Sequence, residues 1–402
     1  MKKKIMFVAG ARPNFVKIAP LLREFAKHRD VFNTSLVHTG QHYDFEMSGV
    51  FFQGLQIPDP DIHLNVGSHS HAVQTAKIMV SFEKVVTADK PDLVIVVGDV
   101  NSTLACALVV TKLGVKLAHV EAGLRSFDRT MPEEINRVVT DSLSDYLFVS
   151  EKSGLENLKR EGVSSDKVHF VGNVMIDSLI WAGKHVGKSK TLDNLNLTEK
   201  EYGVVTLHRP SNVDSDMSLS EIFDILQLVS EKIKLVYPLH PRTKIMLKRH
   251  GLLEKLTALT NLRLTDPLGY LDFVRLMKDS RFVLTDSGGI QEETTALGIP
   301  CLTMRGNTER PITVTQGTNI LVGKDMRRIV RGVTNVLRGK FKRGTVPALW
   351  DGRASQRIAG IIRDQIVDRP VAKKQILGLA QTLSNPSKTQ GGLTYSSLCR
   401  IK

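Results

Sequence analysis

Residues 119–137 read H-V-E-A-G-L-R-S-F-D-R-T-M-P-E-E-I-N-R. A mostly apolar run from Val115 to Val120, broken by Lys116 and His119, delivers Glu121. A glycine-containing loop follows, and Pro132 opens a helix with Glu133 and Glu134 in its first turn. Proline loses no hydrogen bond at a first helical position, and the helix dipole favours acids there. Strand, loop and helix in this order make one βα unit. Helix-start chemistry accounts for Glu134, which is expected to be a solvated acid. It does not account for Glu121, a carboxylate set where a strand ends, or for Arg125, Arg129 and Arg137 nearby. Acids and cations converging at a strand end point to acid/base chemistry on an anionic substrate.

The same unit recurs on both sides. Strand signals lie at residues 4–9, 34–38, 93–97, 116–120, 146–149 and 169–171, with helical periodicity at 72–87, 103–112, 133–144 and 151–161. A second series has strands at 202–207, 235–239, 262–264, 282–285 and 301–304 and helices at 218–233, 241–250, 270–278 and 290–296. The alternation predicts an α/β protein of two doubly wound, Rossmann-like halves with a ligand cleft between them. The expected divisions are 1–175, 176–353, a helix in 354–370 packing back on the first half, and a tail at 371–402. The tail is rich in Ser, Thr, Gln, Gly and Lys and reads as mobile.

Four further stretches fall where strands end. Gly10–Asn14 (G-A-R-P-N) opens a helix containing Lys17, an arrangement suited to an anion or to a plain turn. It is not the G-x-G-x-x-G of dinucleotide cofactors. Residues 97–103 (V-G-D-V-N-S-T) place Asp99 at the same sheet edge as Glu121, where each carboxylate is expected to raise the other's pKa. Residues 206–212 (T-L-H-R-P-S-N) place His208 and Arg209 at the first strand end of the second half, and Leu239-His240-Pro241-Arg242 repeats the pattern more weakly. Residues 285–293 (T-D-S-G-G-I-Q-E-E) form the clearest phosphate signal. Ser287, Gly288 and Gly289 start a helix with N–H groups open to a pyrophosphate, and Glu293 is placed to accept from ribose hydroxyls. Arg310 follows in T-E-R-P.

Composition excludes several classes. At 402 residues the chain is long enough for two domains. It contains no apolar run of the roughly 18–20 residues that a membrane span needs. The basic start M-K-K-K precedes too short an apolar run for a signal peptide and reads as a first buried strand. Cys106, Cys301 and Cys399 suggest reduced thiols and a cytoplasmic protein, with no metal knuckle. The net charge of +14 is concentrated at the C-terminal end: residues 324–402 hold 17 Lys and Arg against 4 Asp, a net of +13. Without interleaved aromatics this is a solvated or substrate-steering face, and nucleic acid is not an expected partner.

Taken together, G-A-R-P-N, G-D-V-N-S-T, the 119–137 stretch, H-R-P, T-D-S-G-G-I-Q-E-E and T-E-R-P resemble, in order and spacing, the non-hydrolysing UDP-N-acetylglucosamine 2-epimerases over residues 4–365. The resemblance implies a GT-B-like pair of Rossmann domains, usually in a homodimer, with a UDP-sugar in the cleft. It implies interconversion of UDP-GlcNAc and UDP-ManNAc through elimination of UDP, without metal or nicotinamide. By motif match, Asp99, Glu121, Glu133 and His208 take catalytic positions. Arg12, Lys17, Arg137, Ser287, Gly288, Gly289, Glu293 and Arg310 take phosphate, sugar and ribose contacts, and Phe273 lies near the uracil. The sequence departs from the family at Asn14 and Ser211, where glutamates are usual, after Gln41-His42, and at 67–71, which lacks an Arg. The departures predict weak or absent activation by a second UDP-GlcNAc and leave room for a modified sugar such as a 2,3-diacetamido uronic acid. A UDP-sugar glycosyltransferase would need only the Ser287-Gly288-Gly289 site, a hydrolysing epimerase would release free ManNAc, and a non-catalytic sensor would not need the three acids.

Overall fold

The computed structural model describes residues 1–40, 52 and 54–366, without the side chains of Arg12, Pro210 and Ser211. The loop after Gln41-His42 and the stretch 371–402 lie outside the described residues. Two parallel sheets organise the rest. The first comprises β1 (Lys3–Ala9), β2 (Phe32–His38), β3 (Ile62–His63), β4 (Leu93–Val97), β5 (Lys116–Ala122), β6 (Tyr146–Val149) and β7 (Val168–Phe170), in the order β3-β2-β1-β4-β5-β6-β7. The second comprises β8 (Tyr202–Thr206), β9 (Lys234–Pro238), β10 (Leu262–Thr265), β11 (Phe282–Thr285), β12 (Cys301–Thr303) and β13 (Asn319–Leu321), in the order β10-β9-β8-β11-β12-β13. Both follow the doubly wound Rossmann order, so the expected fold class holds.

All five residues of β4, L-V-I-V-V, are buried, as are the four of β11, F-V-L-T. That is the pattern of strands covered on both faces by crossover helices. The helix Met326–Leu337 buries Ile329, Gly332, Val333 and Val336, four positions on one helical face, while Arg327, Arg328 and Arg331 are exposed. Much of the charge expected on a solvated basic face therefore lies outside the core.

The ends of β1 and β4, and of β8 and β11, flank the two points where strand order reverses. Ligands of doubly wound sheets bind in the crevice at such points. Gly10–Asn14, Gly98-Asp99, His208-Arg209 and Asp286–Gly289 all emerge there. Between the sheets, the helix Val174–Gly183 packs on Arg12–Phe25 of the first half and on Tyr270–Lys278 and Gly288–Leu297 of the second. Periodicity had left this segment as a boundary, because a helix buried on several sides has no polar stripe. The three-residue β13 is likewise too short to carry a pattern. Residues 1–360 form one compact unit containing both sheets. The second unit begins at Ile361, and its described part is the end of the helix Ala354–Ile366. At that helix's start, the Ala354 and Ser355 N–H groups donate to Asp177 at 3.1 and 2.7 Å, and Arg357 donates to the Val171 carbonyl at 3.0 Å.

Candidate active site

Glu121, the penultimate residue of β5, has φ +75, a left-handed conformation that is strained for a residue with a Cβ. The register against β6 shifts between Val120 and Ala122, so a bulge turns the side chain out of the ladder. The carboxylate is only 5% exposed. Lys17 Nζ, from the helix after β1, lies 2.7 Å from Oε2, and Arg310 Nη2, from the second half, lies 2.9 Å from Oε1. Lys17 reaches it across Gly98 (φ +66), where a Cβ would stand 2.8 Å from the ammonium nitrogen. A side chain at Gly98 would block that approach.

Asp99 follows on the neighbouring strand end, as the order β4-β5 requires. Its Oδ2 pairs with Arg137 Nη2 at 2.5 Å. The expected mutual raising of pKa is overturned at this carboxyl. Burial raises it, but the charges of Arg137 and Lys17 outweigh burial and hold it below the ordinary value. The expectation for Glu134 is also corrected. Glu134 is buried, accepts from the Ser126 and Phe127 N–H groups at 2.9 Å, and pairs with Arg137. Helix-start chemistry missed it because Glu134 anchors the loop that precedes the helix. Glu133 is half-buried, with no side-chain hydrogen bond or ion pair among the described residues.

In the second half, His208 Nδ1 lies 3.1 Å from Asp286 Oδ1, and the His208 side chain is 41% exposed. Asp286 is fully buried and also accepts from the Arg209 N–H at 2.9 Å and from Asn212 Nδ2 at 2.9 Å. It accepts from the Nδ1–H and leaves Nε2 as the available nitrogen. Arg310 meets Glu292 at 3.0 Å and Glu309 at 2.5 Å as well as Glu121. Burial pushes Glu292 up to about 8, against the opposing charge of Arg310. Glu309 lies well below the carboxylate range, because Arg310 and Arg305 outweigh its burial.

The glycines of the phosphate signal have an additional role. A Cβ at Gly288 would lie 2.5 Å from Arg310 Nη1, and one at Gly289 would lie 2.8 Å from Met175 Cε. Gly288 therefore admits the guanidinium at the helix N-terminus, whose first N–H groups remain suited to an anion. Ser287 occupies the N-cap position of that helix without a side-chain capping bond. Glu293 is buried and receives the Tyr270 hydroxyl at 2.8 Å, and burial raises it to about 7. Phe273 is half-buried on the helix Tyr270–Lys278. The Arg12 side chain lies outside the described ones.

The structure thus gathers Lys17, Asp99, Glu121, Arg137 and Arg310 into one ionic cluster, with His208 and the helix starting at Gly288 on the second sheet. Residue-by-residue reading missed Asp286, Glu292, Glu309 and Glu151. The acid–arginine alternation of T-E-R-P and the doubled glutamate of Q-E-E were the available signals for Glu309 and Glu292. Glu151 follows β6, beside β5, and is buried and raised to about 7 by desolvation. Two parallel Rossmann-like sheets, with buried cations between a carboxylate set and a helix N-terminus, make a GT-B-like architecture with a site suited to an anionic, phosphate-bearing ligand.

The family model described as UDP-N-acetylglucosamine 2-epimerase matches residues 24–363, and the chain belongs to that family. A UDP-N-acetylglucosamine 2-epimerase homolog of Methanococcus maripaludis is 46% identical over 366 residues, which is 90% of this chain and 99% of the relative. The UDP-2,3-diacetamido-2,3-dideoxy-D-glucuronate 2-epimerase of Pseudomonas aeruginosa is 39% identical over 360 residues, 89% of this chain and 98% of that one. The crystal structure of Methanocaldococcus jannaschii UDP-GlcNAc 2-epimerase with UDP-GlcNAc and UDP superposes with a TM-score of 0.84 at 40% identity, covering 89% and 99% of the two chains.

Proposed function

We propose that this chain interconverts UDP-N-acetylglucosamine and UDP-N-acetylmannosamine, the first steps being loss of UDP and of the C2 proton. The observation that carries the reading is the 2.9 Å contact between Glu121 of the first half and Arg310 of the second. It joins a candidate proton-transfer carboxylate to a candidate diphosphate ligand across the cleft. The C2 hydrogen is not adjacent to a carbonyl, so a carboxylate alone is too weak a base to remove it. The C1–O bond breaks first, its electron pair leaving with UDP, and the oxocarbenium character acidifies C2. Arg310, His208, Arg12 and the helix start at Ser287 stabilise the departing diphosphate. Transfer of the C2 proton to a carboxylate gives a 2-acetamidoglucal. Protonation from the opposite face and return of UDP oxygen to C1 complete the inversion. Two faces require two proton-transfer groups, drawn from Asp99, Glu121 and Glu133.

The purified protein and UDP-GlcNAc alone, followed by proton NMR, test this directly. UDP-ManNAc appearing without an acceptor supports it; free ManNAc with UDP, or no turnover, removes it. A second reading, epimerisation of a 2,3-diacetamido uronic acid, is supported by the 39% identical relative. A higher kcat/KM on that sugar than on UDP-GlcNAc would select it.

The enzyme is read as a cytoplasmic homodimer serving surface polysaccharide synthesis. The family expectation supports the dimer. Among the described residues no helix is long and apolar enough to cross a membrane. The halves are assigned as 1–175 and 176–353, followed by a helix in 354–370 that returns to the first half and a dispensable tail. Activation by UDP-GlcNAc is expected to be weak or absent. Asn14 supports this, because its amide is committed to the Gly10 and Ala11 N–H groups and to the Val97 carbonyl.

A further inference from the structure

Beneath Glu121 and Asp99 lies a polar group that none of the reaction steps uses. His119, two residues before Glu121 on β5, is fully buried. Its Nε2 lies 2.8 Å from the Gly98 carbonyl and its Nδ1 2.6 Å from Asp141 Oδ1. The other oxygen of Asp141 accepts the Gly123 N–H at 3.0 Å and pairs with Arg125 at 2.7 Å. Arg125 in turn donates to both oxygens of Glu161, at 2.7 and 2.6 Å.

These contacts fall on the backbone that aims the two carboxylates. Gly98 (φ +66) immediately precedes Asp99, Glu121 (φ +75) sits at the bulge, and Gly123 (φ +81) follows it by two residues. A left-handed non-glycine residue is strained and persists only where its surroundings fix it. His119 holds the loop that carries Asp99. Asp141 holds the turn that carries Glu121. The Gly98 N–H also donates to the Val120 carbonyl at 3.1 Å, tying the two turns to each other.

The protonation pattern follows from the partners. A carbonyl oxygen only accepts, so Nε2 carries a proton. Burial opposes ionisation of Asp141, but His119 and Arg125 outweigh it and keep the carboxyl below its usual range.

We propose that His119, buried and clamped between Gly98 and Asp141, is a positioning residue that sets the separation and aim of the Asp99 and Glu121 carboxylates for proton transfer at the sugar. The inference deepens the epimerase reading and rests on it. His119 does not touch substrate. It acts through two strained turns, where a displacement of about 1 Å is enough to lower a rate roughly a hundredfold.

Two near-isosteric variants divide the clamp. In His119→Gln the amide reaches the position of Nε2 and retains the Gly98 link while losing Asp141. In His119→Asn it occupies the position of Nδ1 and retains Asp141 while losing Gly98. Each is expected to lower kcat roughly ten- to hundredfold, with KM and UDP affinity by calorimetry within about threefold. Combining either with Asp141→Asn should cost less than the product of the single effects. A merely structural histidine would instead lower melting temperature while leaving kcat per folded enzyme within twofold, and that outcome overturns the proposal. For the wild-type protein, labelled with 15N-histidine, ring correlation spectra give a second test independent of variant folding. A buried ring with a slowly exchanging Nε2 proton at the assay pH supports the clamp, and a His119 ring without one overturns it. Wild-type turnover of UDP-GlcNAc is the control: its absence removes the epimerase reading, whereas turnover with unaffected variants removes only the clamp.

Discussion

Glu121 combines three features that a structural acid does not need together: left-handed backbone, a bulge at its own position, and two buried cations. Removing one member of a buried ion pair is costly, about 3–5 kcal/mol, so such a cluster persists where it serves a purpose. Glu121→Gln retains the shape and removes the base. Its kcat is expected to fall by roughly two to four orders of magnitude, the usual worth of a general acid/base. Calorimetric binding of UDP should change little, and near-normal turnover would exclude Glu121 from proton transfer. The placement of Glu121 was legible in the sequence because an apolar run ended on a carboxylate. Its two cationic partners were not paired with it in advance. Lys17 and Arg310 lie 104 and 189 positions away, and only the packing of the halves brings them together.

At the scale of elements, the helix Gly288–Leu297 buries Glu292 and Glu293 in succession. Glu293 bonds to Tyr270 and is raised by burial to about 7. A raised carboxyl pKa favours the folded state while protonated. The contribution is therefore full below the unfolded value and is lost as pH rises through about 7. Glu293→Gln keeps an acceptor for the Tyr270 hydroxyl and cannot ionise. It should melt like the wild type at pH 5 and above it at pH 8, by up to about 3 kcal/mol of stability. Equal shifts at both pH values would contradict a buried titrating carboxyl. The elements themselves were largely legible. The strands of 93–97, 146–149 and 282–285 and the helix of 270–278 coincide with the expected bounds, since apolar runs between turn residues leave little choice. The helix Val174–Gly183 and the strand Asn319–Leu321 escaped because neither shows a period. At Glu134, local helix-start rules pointed to solvent, and tertiary contacts to Ser126 and Phe127 overrode them.

For the whole molecule, the chain folds into two parallel sheets of the same strand order, and sequence alternation alone was sufficient to expect them. The ionic connection across the cleft was not legible, because it depends on side chains of both halves meeting. The family match ends at residue 363, near the end of the final described helix. A chain ending at residue 370 is expected to remain soluble and to keep most of its activity, and loss of either would contradict the assignment of a dispensable tail. Rate curves for UDP-ManNAc should be hyperbolic. Sigmoidal curves straightened by traces of UDP-GlcNAc would show a second-site activation that Asn14 and Ser211 argue against. The most direct test of the account is turnover of UDP-GlcNAc by the wild-type enzyme in deuterated water, with the product read by NMR. UDP-ManNAc carrying deuterium at C2 is the expected product; UDP-ManNAc that retains its original C2 hydrogen would contradict proton exchange through these carboxylates.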